Sequence, residues 1–491
     1  MKKLPLPHSL SCFGLESNPI ITGLWQVADL ERIGTPLDRK IAADELVGYA
    51  SDGFSCFDMA DHYGSAELIA GLARKTIMAE SGDQPPPVLL TKWCPQPFEC
   101  TPDAVRSGIK ERKERLGVDC IDLLQLHWWN FDHPGYIDVM DTLMSLKHEG
   151  WIRHIGLTNF DTDHLKVLLS CGHEIATNQV CLSVLDPRAL ADMSELCAQT
   201  DVRLLAYGTL AGGFLSDKWL DAPEPDAVPD WSKMKYQRFI QAVGGWSVFQ
   251  SMLCTLNEVA LRHKVSISNI ATRWVLEQAA VAGVIVGARL TERQHRHNNK
   301  VPLTFTLTDA DHAQISQCSQ QLHRIAGDCG SEYRRPPYLT ASGDLSDHLD
   351  SLPPVFEKKA VAGKPHRFRI SSGSEYEPVC GYSRAVRDAD RVMVSGTTAT
   401  HGVDRIIGIN DLQAQTVYVL DKISASLAAL GASMNDVIRT RIYLKNVSDW
   451  EVVSRVHGRY FADTLPANTL LEVSNLVGDY RVEIEAEAIV G

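Results

Sequence analysis

Between Ile20 and Val286 eight short apolar runs recur, each followed by a stretch with helical periodicity, and no other feature limits the possible folds as much. The runs are Ile20–Trp25, Ser55–Asp58, Val88–Lys92, Ile121–His127, Ile152–Thr158, Ala176–Cys181, Arg203–Tyr207 and Val281–Val286. Helical spacing of apolar residues marks Leu37–Ala50, Ala66–Met78, Pro102–Leu116 and Pro187–Ala198 among the intervening segments. Pro102 and Pro187 stand where a first helical turn tolerates proline. Eight β-then-α units of this size predict an α/β chain closed into a (β/α)8 TIM barrel. A doubly wound sheet is the alternative, but no G-x-G-x-x-G follows the first run.

Two segments break the rhythm. Residues 214–245 form a long insert after the seventh run, with Trp219, Pro223, Pro225, Pro229, Trp231 and Tyr236, placed to overhang the mouth of a barrel. Residues 331–365 carry Pro336-Pro337, Pro353-Pro354 and Pro365 with little periodicity and read as a linker. From His366 the pattern becomes α+β: strands at Phe368–Ile370, Tyr382–Val386, Arg391–Ser395, Thr440–Leu444, Leu470–Val473 and Val482–Ile489, and helices at Leu412–Leu430 and Trp450–Phe461, with Gly431 as a cap. The domains expected are therefore 1–330, a linker over 331–365, and 366–491.

A net charge of −13 argues against nucleic acid or an anionic membrane as partner. No apolar stretch is long enough to span a bilayer, and Met1-Lys2-Lys3 leads into Pro5 and Pro7 rather than a secretory core, so a cytoplasmic protein is expected. The twelve cysteines lack C-x-x-C or Cys/His clustering, which predicts free thiols and no metal site.

Four polar residues fall at or beyond the ends of three successive strands: Asp58 and Tyr63 after the second, Lys92 at the third, His127 at the fourth. Singly, each reads as an ion-pair member, a surface phenol or a core histidine. Together they suit carbonyl reduction, which needs a proton donor beside the carbonyl oxygen. Tyrosine, with an ordinary pKa of about 10, is a weak acid until a cation such as Lys92 favours its phenolate. Asp58 can hold that lysine, and His127 can hydrogen-bond the same oxygen.

The run Phe57-Asp58-Met59-Ala60-Asp61-His62-Tyr63-Gly64-Ser65-Ala66-Glu67 resembles the aldo-keto reductase signature, and Thr91-Lys92, Asp122–Trp128 and Ile155–Phe160 are similar to that family's next landmarks in order. The resemblance covers residues 15–325. It implies Tyr63 as general acid, completed by Asp58, Lys92 and His127, with Asp58 rather than Asp61 as the carboxylate. It also implies NADP(H) across the barrel mouth. Thr158, Asn159 and Gln179 would meet the carboxamide and Tyr207 would stack on the nicotinamide. Gly208, Leu210, Gly212, Leu215 and Ser216 would line the pyrophosphate, Arg289 would take the 2′-phosphate and Asn299 the adenine. The remaining basic residues of 287–300 read as solvated charges. Trp25, Trp93, Trp128 and Trp129 near strand ends suggest an aromatic mouth for a small-molecule carbonyl substrate, with Trp128 and Trp129 unable both to point inward. A barrel that binds nicotinamide as a redox sensor with little turnover is the alternative.

Gly381–Val386, Val394–Thr398, Pro466–Thr469 and Val482–Ala486 resemble the Rid, or YjgF, family, which implies a chorismate-mutase-like α+β fold, a homotrimer and hydrolysis of imines or enamines. Tyr382, Ser395, Asn468 and Glu483 would lie about its pocket. Asn468 stands where deaminating members carry arginine for a substrate carboxylate, so substrates lacking a carboxylate, or an inert scaffold, are the expectations.

Overall fold

The computed structural model describes residues 9–27, 37–80, 85–96, 100–228, 231–290, 295–334 and 353–491. Two compact units result, one built on a barrel and one on a C-terminal sheet.

Eight parallel strands close the barrel in chain order: β1 (Ile20–Gly23), β2 (Cys56–Asp58), β3 (Val88–Trp93), β4 (Ile121–His127), β5 (Ile152–Thr158), β6 (Thr177–Cys181), β7 (Arg203–Tyr207) and β8 (Val281–Gly287). Helices α1 (Arg39–Ser51), α2 (Ala66–Glu80), α3 (Pro102–Leu116), α4 (Gly135–His148), α5 (Thr162–Ser170) and α6 (Asp192–Gln199) alternate with the first seven strands. Between β7 and β8 lie α7 (Trp231–Ala242), α8 (Trp246–His263) and α9 (Ile267–Leu276), and after β8 come α10 (Arg296–Lys300) and α11 (Asp309–Gln320). The strands are short and their residues mostly buried, the pattern of a parallel sheet covered on both faces.

The first turns follow local rules. Thr101 caps α3 by accepting from the Ala104 amide, and Pro102 occupies the first turn. Pro187 behaves otherwise than expected: it precedes a short 3-10 turn, Arg188–Leu190, and the non-helical ψ of −125° at Ala191 delays α6 to Asp192. Residues 9–15 close the end of the barrel opposite the strand C-termini, where Leu10 and Leu15 pack on Ile21, Cys56, Val88, Leu90, Leu123, Leu205 and Ala282.

The C-terminal sheet has the order β16-β15-β17-β12-β11-β10-β9. Its strands are β9 (Lys359–Val361), β10 (Lys364–Ile370), β11 (Ala385–Asp388), β12 (Arg391–Thr397), β15 (Val437–Leu444), β16 (Ala467–Glu472) and β17 (Val482–Ile489), while β13 (Thr400–His401) and β14 (Arg405–Ile406) form a small ribbon. Only β15 and β16 pair in parallel. Helices α12 (Tyr376–Cys380), α13 (Leu412–Ala429) and α14 (Trp450–Tyr460) complete the unit, with α13 packed on β12 and β17. Gly431, with φ of +74°, follows the last turn of α13. Tyr382 precedes β11 instead of starting it, because α12 and the left-handed Gly381 turn the chain there.

The expected linker includes regular elements: Ser331–Tyr333 form a 3-10 turn and Lys359–Val361 a strand. Residues 335–352, including Pro336 and Pro337, lie outside the described residues, as do Pro229 and residues 291–294. No helix among the described residues is long and apolar enough to cross a membrane.

Leu123 is fully buried where the barrel floor meets residues 10–15. Leu123→Ala is expected to cost about 2–5 kcal/mol through lost transfer energy and a residual cavity, read as an earlier urea unfolding transition of the full chain.

Candidate active site

Strand alternation sorts the side chains of each barrel strand into two sets. On β3, Thr91 points outward and donates to Glu67 of α2 at 2.7 Å, whereas Lys92 points inward and donates to Asp58 Oδ2 of β2 at 2.7 Å. Gln125 and His127 of β4, Thr158 of β5 and Gln179 of β6 come into the interior by the same phase. Gly156 of β5 leaves room for this layer, since a Cβ there would lie 3.2 Å from Gln125 Cγ and would collide with the Thr177 hydroxyl.

The carboxylate of Asp58 is held on both oxygens. Oδ2 takes Lys92, and Oδ1 accepts from Gln125 Nε2 at 3.1 Å and Gln179 Nε2 at 2.8 Å. The pair is almost wholly buried, with the two side chains only 3% and 4% exposed. Burial pushes the Lys92 ammonium below the ordinary lysine pKa, and Asp58 opposes that shift. The ammonium sits 5.1 Å from the Tyr63 ring centroid. Tyr63 follows β2 in the turn before α2 and packs edge-on against Trp25 at 4.9 Å. His127 ends β4 beside Asn159, with His127 Nε2 and Asn159 Nδ2 3.3 Å apart.

Asp61 serves a different purpose. Its carboxylate accepts from the His62 and Cys94 amides at 2.8 Å each and meets His62 Nδ1 at 2.7 Å. These bonds fix the turn that presents Tyr63. Glu67 is buried between Arg112 and Arg115 at 2.9 and 2.7 Å and braces α2 against α3.

A cavity of about 720 Å³ opens over these groups. Its wall includes Asp58, Tyr63, Lys92 and His127, and also Thr158, Asn159, Gln179, Tyr207, Gly208, Leu210, Gly212, Ser216, Arg289 and Asn299. Leu215 is fully buried behind that wall and does not line it. Gly208 and Gly212 have φ of +72° and +64°, and a Cβ at Gly208 would strike the Tyr236 hydroxyl. Arg289 receives help from Gln26, whose Oε1 accepts from its Nε at 3.2 Å. Arg296 and Lys300 are paired with Asp52 at 3.1 and 3.0 Å instead of facing the cavity.

These residues fit a dinucleotide. The Thr158 hydroxyl is buried without a hydrogen-bond partner, a polar group placed for a ligand amide to satisfy. Gly208, Gly212 and Gly213 line the cavity without side chains, leaving backbone open to a close-approaching anionic group, and the Arg289 guanidinium lines the same cavity. The insert after β7 supplies Ser232, Lys233, Lys235 and Tyr236 to the same wall.

The aromatic mouth is narrower than expected. Trp25 lines the cavity, but Trp93, Trp128 and Trp129 are packing residues: Trp93 lies against Gly108 of α3, and Trp128 and Trp129, at most 1% exposed, stack with ring planes 10° apart. They follow the end of β4 or lean outward from β3, so proximity to a strand end did not place them in the mouth. Trp219 and Tyr333 line the cavity as well, Tyr333 perpendicular to His127 at 5.9 Å between centroids. Tyr333, Lys235, Gln125 and Glu332 were not foreseen. The signal for Gln125 was its phase, two residues before His127.

In the C-terminal unit, the Glu483 carboxylate of β17 lies beside Gly396 of β12, where a Cβ would collide with it, whereas the Ser395 hydroxyl donates to the Ser383 carbonyl at 2.8 Å. Burial raises the Glu483 pKa, with Arg384 opposing the shift. Tyr382 is 39% exposed. Asn468 stands apart on β16, beyond β15, its amide donating to Thr440 Oγ1 at 2.9 Å. Arg384, also unforeseen, donates to the Gly396 carbonyl at 2.6 Å and to that of Ser395. All twelve cysteines are free, and the described residues hold no cluster fit for a metal ion.

Comparison with known proteins agrees with both units. The profile of the aldo/keto reductase family matches residues 19–320, and that of the family described as Endoribonuclease L-PSP matches residues 372–490. The NADH-specific methylglyoxal reductase of Escherichia coli is 27% identical over 66% of this chain and 100% of its own. The RutC family protein PH0854 of Pyrococcus horikoshii is 36% identical over 23% of this chain and 89% of its own. The glycerol dehydrogenase AKR11B4 from Gluconobacter oxydans shares the barrel fold, with a TM-score of 0.52 at 20% identity over 64% of this chain and 94% of that one. With more than half its length inside that first profile, the chain belongs to the aldo/keto reductase family, an oxidoreductase family, and carries a Rid/YjgF-like domain at its C-terminal end.

Proposed function

We propose that this chain reduces the carbonyl of an aldehyde or ketone to an alcohol with NADPH, Tyr63 acting as general acid. The observation that carries the reading is the buried Asp58–Lys92 pair, 2.7 Å long, with its ammonium beside the Tyr63 ring inside a cavity walled for a dinucleotide. NADPH, when bound, supplies the hydride that the carbonyl carbon receives.

Everything else belongs to the chain. Thr158, Asn159 and Gln179 would hold the carboxamide, Tyr207 would pack against the ring, and the passage lined by Gly208, Leu210, Gly212 and Ser216 would receive the pyrophosphate. Arg289 would take the 2′-phosphate, its planar fork suited to a phosphate monoester, and Asn299 would take the adenine. Tyr63 Oη gives its proton to the carbonyl oxygen as negative charge develops there. The Lys92 ammonium stabilises the phenolate left behind, and Asp58 keeps that ammonium from swinging away. His127 adds a hydrogen bond to the same oxygen. Trp25 and Tyr333 exclude water from one side of the site.

The C-terminal unit is proposed to trimerise through the sheet face opposite α13, where Met393 and Ile438 lie 41% and 46% exposed. Glu483, Ser395 and Tyr382 would there attend an imine or enamine lacking a carboxylate, since Asn468 carries no charge to bind one.

Tyr63→Phe is expected to lower kcat for aldehyde-dependent NADPH oxidation by about 10²–10⁴-fold while leaving NADPH affinity unchanged; an unaltered kcat would remove the proposed acid. Arg289→Ala should raise the KM for NADPH about tenfold, the loss of one charge-assisted contact, and leave that for NADH unmoved. Light scattering should give the mass of three chains, and a monomer at micromolar concentration would refute the trimer.

A further inference from the structure

Lys235 projects from α7, in the insert after β7, and is only 4% exposed. Its ammonium donates to the Tyr333 hydroxyl at 2.9 Å, to Glu332 Oε1 at 3.1 Å and to the Tyr207 hydroxyl at 3.3 Å. Glu332 is fully buried, and its other oxygen takes Arg188 at 3.0 Å. Burial alone would raise the Glu332 carboxyl, but Lys235 and Arg188 hold it down to about 2. Two buried carboxylates, Asp186 and Glu332, thus face two buried cations. Removing such charges from water is costly, and the return is one fixed geometry more than stability.

The geometry fixed is that of the nicotinamide site. An ammonium can only donate, so the oxygens of Tyr333 and Tyr207 accept from Lys235 and turn their own protons elsewhere. The two phenol oxygens are 3.1 Å apart, and Tyr207 donates onward to Asn159 Oδ1 at 2.8 Å. With its oxygen so engaged, the Asn159 amide presents Nδ2 to His127. The hydrogen bonds therefore run in one direction, from an insert helix and a segment beyond the barrel to the strand-end residues. Asn159 sits in the left-handed region, φ +56°, and the Arg334 guanidinium donates to its carbonyl at 2.6 Å, so backbone and side chain are both constrained.

We propose that Lys235 is a positioning residue for the reduction, setting the Tyr207 ring and the Asn159 amide through its bonds to Tyr333 and Tyr207. The inference rests on the carbonyl-reductase reading above and assigns to it a lysine outside the Asp58, Tyr63, Lys92 and His127 set. Lys235 touches neither the carbonyl nor the proton it receives. Its effect reaches the reaction through the stacking plane of Tyr207 and the orientation of the carboxamide ligand.

The test uses the full chain with Lys235→Met, Lys235→Arg and Tyr333→Phe, the last removing one hydroxyl of the relay and no charge. NADPH affinity is read by quenching of protein fluorescence, and kcat and KM with benzaldehyde, all below each variant's melting temperature. Lys235→Met is expected to weaken NADPH binding about tenfold and to lower kcat as well, the cost of leaving hydrogen-bonded groups unsatisfied in a dry site. Tyr333→Phe should shift both in the same direction by less, and Lys235→Arg should restore part of the loss. A Lys235→Met protein that melts earlier but keeps affinity and kcat within about twofold (under 0.5 kcal/mol) has lost only a structural clamp, and the proposal fails. Should Lys235→Met not fold, unchanged affinity and kcat in Tyr333→Phe overturn it equally. If the wild-type chain binds NADPH yet reduces no carbonyl, the reductase reading falls, while the affinity series still decides the role of Lys235.

Discussion

The Asp58–Lys92 ion pair is the constraint around which the site is arranged. A buried lysine without a partner would shed its proton, and a buried carboxylate without donors would take one up. Here each charge is met: Lys92 by Asp58 Oδ2, Asp58 Oδ1 by Gln125 and Gln179. Four strands, β2, β3, β4 and β6, contribute to that one network, and only a closed barrel brings residues so distant in sequence to a common centre. The energy of the pair itself is modest once desolvation is counted. Its value lies in keeping an ammonium next to the Tyr63 ring without a water to replace it.

The cavity above follows from the same architecture. Strand ends deliver Thr158, Gln179, Tyr207 and Gly287 to one rim, and the loop beyond β7 adds Gly208, Gly212 and Gly213 to the same cavity. Two additions modify that common plan. The β7 insert folds into α7, which walls the cavity with Lys235 and Tyr236, and the segment after α11 returns Glu332, Tyr333 and Arg334 to the mouth. The fused C-terminal unit brings its own sheet and its own polar cluster about Glu483 and Arg384.

Much of this was legible in the sequence, and the reasons are specific. The barrel strands announced themselves because apolar runs of parallel strands are buried on both faces and broken by helical periodicity; three of the eight have the predicted limits and the other five differ by one or two residues. Asp58, Tyr63, Lys92 and His127 could be picked out because barrel chemistry gathers at strand C-termini. The tryptophans misled because proximity to a strand end does not fix which way a side chain points: Trp93 and Trp128 serve packing, and Trp25 alone of the four lines the cavity. Pro187 misled because proline suits a 3-10 turn as well as a first α-turn. Lys235 and Tyr333 were invisible for a different reason. They meet each other across nearly a hundred residues, and no local pattern records such a contact.

The central claim is that the Lys92 ammonium brings the Tyr63 phenol within reach of neutral pH. Tyrosine labelled with carbon-13 at Cζ reports ionisation directly, and Tyr63 can be assigned among the thirteen tyrosines by its loss in Tyr63→Phe. The account predicts that the Tyr63 resonance titrates well below the ordinary value of about 10 and moves back toward it in Lys92→Met. A Tyr63 that ionises at or above that value in both proteins would contradict it.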